Sequence, residues 1–346
     1  MPELDYITIR GFKSIASIEK LPLRAINVVI GPNGSGKSNF LEVFSFVKAV
    51  REERLHPFVA ERGGAHKLGH FRHGGNIFVR LEWERQKFRY EIDATPISGD
   101  ALMATEGFAG ESFESIRDKK LPEWEDAIAR LPYWKLPVFH LSNTSRTSPL
   151  KQTCDLNDNR SLRADGSNLA AFLYLLRIKH ESSYRLIQRT VQRVTPFFDA
   201  FLLEPSLLNR DKIKLEWRHK ESDQYFDAAS LSDGTLRFIA LATLFLQPEE
   251  LRPSVILVDE PELGLHPYAI NILASLVKMA SEQTQVIVST QSPQLLDNFE
   301  PEDVLVANRV DGGTTLERLD SAKLSGWLED YSLGQLWEKN EIGGRP

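Results

Sequence analysis

The sequence predicts an α/β fold built on a mixed central sheet, and three observations carry that expectation. Ile26-Asn-Val-Val-Ile30 is β-branched and nearly continuous, as a strand buried on both faces must be. It runs through a glycine-rich loop at 31–36 into apolar residues at helical spacing, Phe40, Leu41, Phe44, Val47 and Val50. In the last third of the chain, strand and helix patterns alternate: a helix after Asp233-Gly234, a strand at 254–258, a helix from Pro267 and a strand at 285–289. That alternation is the mark of a parallel sheet. Near the N-terminus Tyr6-Ile-Thr-Ile-Arg10 alternates apolar and polar residues, and residues 76–93 do the same, which predicts an antiparallel β lobe.

The remaining elements follow in order. Gly11 should end the first strand, and 76–93 should form a hairpin or meander. Scattered glycines and acids at 94–125 read as loops. Ser167-Asn168 should cap an apolar helix over 169–178. A second helix is expected over 183–194, stopped by Pro196, and a strand over 213–217. These readings divide the chain into an N-terminal lobe (1–150), an inserted helical region (151–210) and a C-terminal lobe (211–346).

Composition narrows the function classes. The 346 residues carry a net charge of −6, with 42% hydrophobic and 26% charged residues, the balance of a globular chain. No window approaches the ~18 consecutive apolar residues of a spanning helix; the longest apolar run, 238–246, already contains Thr243. Met1-Pro-Glu-Leu-Asp5 lacks the basic and apolar parts of a signal peptide. Cys154 is the only cysteine, which excludes an internal disulfide and a thiolate cluster. A cytoplasmic chain without a membrane partner is therefore expected. Mild acidity argues against a protein that coats DNA over its whole surface, while leaving room for a local basic track. There is no internal repeat, and no heptad run is sustained between 39 and 230, so no long coiled coil is expected.

Two motifs carry chemistry. Gly31-Pro-Asn-Gly-Ser-Gly-Lys-Ser38 fits G-x-x-x-x-G-K-[ST]. Gly31, Gly34 and Gly36, with Asn33, Ser35 and Asn39 around them, let backbone N–H groups converge on phosphate oxygens. Lys37, expected to face solvent, reaches the β- and γ-phosphates, Ser38 ligates Mg²⁺, and the following helix aims its N-terminus at the anion. Val255-Ile-Leu-Val-Asp-Glu260 is an apolar strand ending in two acids. Asp259 should join Ser38 on Mg²⁺, and Glu260 should activate a water for attack on the γ-phosphate. A weaker signal is Ser230-Leu-Ser-Asp-Gly-Thr235, which precedes a helix. Ser232, Asp233 and Gly234 there could form a second anion site or an ordinary helix cap. A second cradle makes sense if each subunit offers it to the ATP of its partner.

The order of these pieces resembles the ABC-type ATPases of the SMC/RecF-like class. The phosphate loop matches 31–38, the ABC signature Leu231-Ser-Asp-Gly-Thr235, the Walker B strand and catalytic glutamate 255–260, and the D-loop Leu263-Gly-Leu-His266. The switch strand matches Val286-Ile-Val-Ser-Thr-Gln291, with Gln291 where the class usually has histidine. Glutamine can hydrogen-bond a γ-phosphate but carries no charge, which points to slow turnover. Asp233, Thr235 and His266 also depart from the commoner residues. No glutamine is assigned to the Q-loop, Gln86 fitting poorly. The resemblance spans nearly the whole chain and is closest to small bacterial predicted ATPases without coiled coils, through 156–169 and the stretch 327–346. It implies an ABC-type P-loop fold, an ATP-dependent homodimer, ATP and Mg²⁺ as cofactors, and a switch or clamp acting on DNA or an effector protein in anti-phage defence or DNA maintenance. OLD-type nucleases share such a head and add a Toprim domain, which is not expected here. Competing readings are a transporter's ATPase subunit, disfavoured by the long gap from Ser38 to Leu231, and a scaffold that scarcely hydrolyses, disfavoured by Glu260.

The remaining signals are weaker. His66, His70 and His73 cluster between glycine pairs but lack an obvious fourth ligand for zinc. Asp155-x-Asn157-x-Asn159 starts like a calcium loop and fails at Arg160 and Gly166. Arg185, Arg189 and Arg193 share one helix face; they could contact DNA phosphates, but a solvated basic face is the commoner meaning of such a pattern. Trp327, Tyr331, Leu333, Leu336 and Trp337 could bind a partner, but docking on the chain's own core is the commoner fate of such residues.

Overall fold

The structure is a computed structural model that describes residues 4–72, 74–84, 87–110, 138–141 and 147–344. The chain forms two compact units that interleave along the sequence: 1–138, 253–257 and 284–346 make the first, 139–252 and 258–283 the second. His73 and Gln86 lie outside the described residues.

The first unit contains a five-stranded antiparallel sheet in the order Ile15–Pro22, Tyr6–Phe12, Ile77–Trp83, Phe88–Ile97, Ala101–Gly110. A second sheet, most of whose residues belong to this unit, runs in the order Gly313–Arg318, Val304–Val310, Ile26–Ile30, Gln285–Ser289, Val255–Asp259, Val138–Phe139. Ile26–Ile30 is buried at every position and lies between two parallel neighbours, Gln285–Ser289 and Val304–Val310, which explains its unbroken β-branched run. Gly313–Arg318 adds an antiparallel edge, so the sheet is mixed. One hydrophobic core joins both sheets through the helix Lys37–Arg51: Phe40, Phe44, Phe46 and Val47 of the helix share it with Ile7, Ile9 and Phe12 on one side and Val29, Ile287 and Leu305 on the other.

In the second unit, Glu181–Val194 packs on Asp233–Leu246, which packs on Pro267–Ser281. Asp233–Leu246 is buried all round from Leu236 to Leu246, and the longest apolar run of the sequence is thus an internal helix. A small antiparallel sheet, Tyr225–Asp227, Glu216–His219 and Phe198–Leu202, completes the unit together with the helix Leu169–Lys179. Among the described residues no helix is long and apolar enough to cross a membrane.

Four expectations about elements are corrected. Gly11 does not end the first strand; it takes φ 72°, which costs glycine little, and the strand continues to Phe12. The part of 94–125 that is described is not loop: Phe88–Ile97 and Ala101–Gly110 form a hairpin turning at Ser98-Gly99-Asp100. The single strand expected at 213–217 is two, because Ile213 pairs with Cys154 while Trp217 pairs with Phe201. Asn168 stands at the start of its helix without a side-chain cap. Its buried amide instead accepts from Arg163 N (2.9 Å) and donates to the carbonyls of Asp158 and Ser161 (2.8 Å each), fixing the loop before the helix. Leu333, Leu336 and Trp337 are buried, whereas Trp327 is half exposed.

Candidate functional site

The phosphate loop belongs to the first unit. Gly36 holds φ 104°, a conformation other residues enter only under strain, and opens the helix Lys37–Arg51. A Cβ at Gly36 would stand 2.2 Å from Thr314 Oγ1 and 2.7 Å from Ser14 Oγ, and one at Gly31 would stand 2.4 Å from the Ala307 carbonyl. Glycine is therefore required twice over, by conformation and by space. Behind the loop, Thr314 donates to Ser35 O (2.7 Å), Ser14 and Thr314 share a hydrogen bond (2.7 Å), and Asn39 Nδ2 donates to Ser14 Oγ (2.7 Å). Asn33, Gly34 and Ser38 lie exposed along the rim.

Lys37 does not face solvent as expected. It is buried, and its ammonium donates to the carbonyls of Gly31 (2.7 Å) and Pro32 (3.1 Å). Two peptide carbonyls hold the cation in the curl of the loop. Ser35 Oγ is buried and has no hydrogen-bond partner among the described residues. A cradle without side chains, a cation curled into it and an orphaned hydroxyl beside it fit an anion with several oxygen acceptors. Gln291 follows the strand Gln285–Ser289, the parallel neighbour of the strand that feeds the loop, so both carboxyl ends emerge at the same edge of the sheet. Thr290 N donates to Val29 O (3.0 Å), tying the Gln291 turn to that strand.

The second unit holds Asp259, Glu260 and the signature. Glu260 has φ 46°, in the left-handed region. A non-glycine residue there costs on the order of 1–3 kcal/mol, and such strain gathers at functional positions. Ser232 caps the helix Asp233–Leu246, accepting from Thr235 N (3.1 Å) and bonding Thr235 Oγ1 (2.8 Å). Asp233 pairs with Lys151 (2.9 Å). Gly234 has a packing role: a Cβ there would lie 2.1 Å from the Gly264 carbonyl, so the signature helix and the 263–266 turn meet backbone to backbone. His266 caps the next helix, accepting from Tyr268 N (3.3 Å).

Sequence reasoning missed several residues. Arg237 is buried beneath the signature and donates to Leu141 O (3.0 Å). Burial lowers its guanidinium pKa from the ordinary value, and the nearby charges of Asp233, Glu262 and Glu260 oppose that shift. Ser14 and Thr314 were equally hidden, being 300 residues apart. Only Glu262, two residues past Glu260, carried a local signal. His66 bonds Asp100 (2.6 Å), and buried His70 accepts from Arg72 N (3.2 Å). Asp155 pairs with Lys212 (2.7 Å).

Comparison with known proteins supports the same reading. The family model described as "AAA domain, putative AbiEii toxin, Type IV TA system" matches residues 26–101 and 136–297. The DNA replication and repair protein RecF of Magnetococcus marinus is 36% identical over 105 residues, covering 30% of this chain and 28% of the relative. RecF of Shewanella denitrificans is 31% identical over 101 residues, covering 24% and 28%. The matched stretch thus spans less than a third of either relative's length. A crystal structure of the SmcHead bound to the C-winged helix domain of ScpA superposes with a TM-score of 0.64 at 16% identity, covering 94% of this chain and all of that one, a likeness of fold. The chain belongs to the AAA family of that description and has the P-loop α/β fold of the SMC/RecF-like ABC-type ATPases.

Proposed function

We propose that the chain binds Mg-ATP at the phosphate loop, hydrolyses it slowly, and pairs with a second copy in the bound state. The observation that supports this most directly is the loop around Gly36, with Lys37 curled into it and Ser35 Oγ unpartnered. Lys37 would exchange its two carbonyl acceptors for phosphate oxygens, and the backbone at Asn33, Gly34, Ser35 and Gly36 would donate beside it. Asn39 holds Ser14 beneath the loop. Ser38 and Asp259 are the candidate Mg²⁺ ligands. Bound Mg-ATP supplies an electrophilic γ-phosphate with its charge partly neutralised. Glu260 would accept the proton of the attacking water. Gln291 would donate a neutral hydrogen bond to the γ-phosphate, so charge stabilisation there is weaker than from an imidazolium and turnover is slow.

Ser232, Asp233 and Gly234 of a second copy would close the site across a shared interface. The output is then association and release of two copies, a clamp or switch. DNA is the favoured partner class, supported by the RecF relatives and by exposed Arg185, Arg189 and Arg193. An effector protein is the other candidate, and the setting is anti-phage defence or DNA maintenance.

The test is light scattering with and without Mg-ATP on wild type, Glu260→Gln and Glu260→Gln/Ser232→Arg. The amide keeps shape and hydrogen bonds but cannot take the proton, so the single variant is expected to accumulate as an ATP-bound dimer. The double variant is expected to bind ATP as a monomer. A single variant that stays monomeric, or a double variant that dimerises equally well, refutes the shared site.

A further inference from the structure

The segment Ser332–Gly344 touches both parts of the nucleotide apparatus in the first unit. It begins with a reciprocal cap, Ser332 accepting from Gln335 N while the Gln335 side chain accepts from Ser332 N, which starts the helix Leu333–Glu338. That helix is seated on the single-turn helix Pro293–Leu296 that follows Gln291. Gly334 N donates to Asp297 Oδ1 (2.6 Å), and a Cβ at Gly334 would lie 2.6 Å from the Pro293 carbonyl. Leu336 and Trp337 are fully buried and anchor it.

The chain then turns back. Glu341 N donates to Leu336 O (2.9 Å), and the Trp337 indole donates to the Gly344 carbonyl. Gly344 N donates to Asn308 Oδ1 (2.9 Å) on the strand beside Ile26–Ile30. Gly344 has φ 60°, and a Cβ on it would lie 2.8 Å from Val306 Cγ1 and 3.3 Å from the Cα of Gly31. The backbone of 344 therefore rests against the first residue of the phosphate loop, whose carbonyl also accepts from Lys37. One short segment, nailed down by a buried indole, abuts Gly31 at one end and the turn after Gln291 at the other.

We infer that Ser332–Gly344 is a positioning clasp: through Trp337, Gly344 and Asn308 it fixes Gly31, and with it the resting Lys37, and through Gly334 it fixes the Gln291 turn. This rests on the reading of 31–38 as the ATP site. Its two ends predict different kinetic signatures. Disturbing the Asn308 end should change nucleotide affinity, because Gly31 O is an acceptor that Lys37 must leave. Disturbing the Gly334 end should change the rate of the chemical step, because Gln291 meets the γ-phosphate only there.

The experiment measures Mg-ATP affinity by calorimetry, steady-state ATPase rates and melting temperature on wild type, Asn308→Leu, Asn308→Asp and Gly334→Ala. Asn308→Leu keeps the volume and removes the acceptor for Gly344 N; Asn308→Asp keeps that acceptor and serves as the rescue. Asn308→Leu is expected to shift Kd and KM about five- to tenfold with kcat within about twofold, the size of a modest coupling between sites. Asn308→Asp is expected to stay near wild type. Gly334→Ala is expected to lower kcat with KM little changed. A segment that only stabilises the fold would lower the melting temperature of Asn308→Leu and Gly334→Ala and leave Kd, KM and kcat alone well below the melt, and that result overturns the clasp. Should Gly334→Ala not fold, the contrast between Asn308→Leu and Asn308→Asp decides by itself. Wild-type protein that binds no Mg-ATP overturns the ATP site and the clasp together, whereas normal binding with Asn308→Leu indistinguishable from wild type overturns the clasp alone.

Discussion

Lys37 shows what a single residue does in the resting site. Its ammonium is buried against two peptide carbonyls, so the loop already holds a positive charge in the place an anion would fill. Replacing it therefore acts in two ways. Lys37→Ala is expected to abolish tight ATP binding and also to cost the nucleotide-free protein stability, about 1–3 kcal/mol for two buried acceptors left without their donor. Calorimetry reads the first effect and urea unfolding the second; a variant as stable as wild type would mean that water replaces the ammonium at both carbonyls. Lys37 stood out in the sequence because the motif it belongs to, proposed here as the phosphate site, sets its residue type at a fixed spacing. Its burial was not, because exposure depends on the curl of the loop. Ser14 and Thr314 were illegible for another reason: each is an ordinary hydroxyl residue, and only the pairing of strands far apart in sequence brings them under Gly36.

At the scale of elements, strongly buried strands and helices could be read and weakly buried ones could not. Ile26–Ile30 and Val255–Asp259 announce themselves because both faces are covered. Ala101–Gly110 is at the edge of its sheet, with Leu102 its one buried apolar residue, so little alternation reaches the sequence. The signature helix adds a point that composition alone misses. Its Gly234 abuts Gly264 within the same chain, so glycine is needed there whether or not a second copy is present. Gly234→Ala is expected to destabilise the nucleotide-free protein by about 1–3 kcal/mol through overpacking, measured by chemical denaturation without ATP. An unchanged midpoint would show that the turn at 264 yields freely. The helix Glu181–Val194 buries Tyr184, Ile187 and Val191 and leaves Arg185, Arg189 and Arg193 exposed, Arg185 in an i,i+4 pair with Glu181 (2.5 Å). If these arginines meet DNA, replacing all three with alanine lowers affinity and reduces the salt slope by roughly two to three. Wild-type protein without salt-dependent DNA binding would mark the face as merely solvated.

For the whole molecule, the sequence order of the central sheet has a consequence for synthesis. Ile26–Ile30 emerges early, yet its two hydrogen-bonding neighbours, Gln285–Ser289 and Val304–Val310, come from the far end of the chain. A ribosome adding ~5–20 residues per second makes those neighbours on the order of 10–50 s later. Through that interval a strand destined for complete burial has both edges unpaired, the condition that favours association between nascent chains. Residues 1–283 expressed alone are accordingly expected to be insoluble or unable to bind ATP, with the soluble fraction and nucleotide binding as readouts. The proposed nucleotide site is thus specified first and assembled last, and a cell making this protein must keep its beginning out of trouble until the later strands arrive.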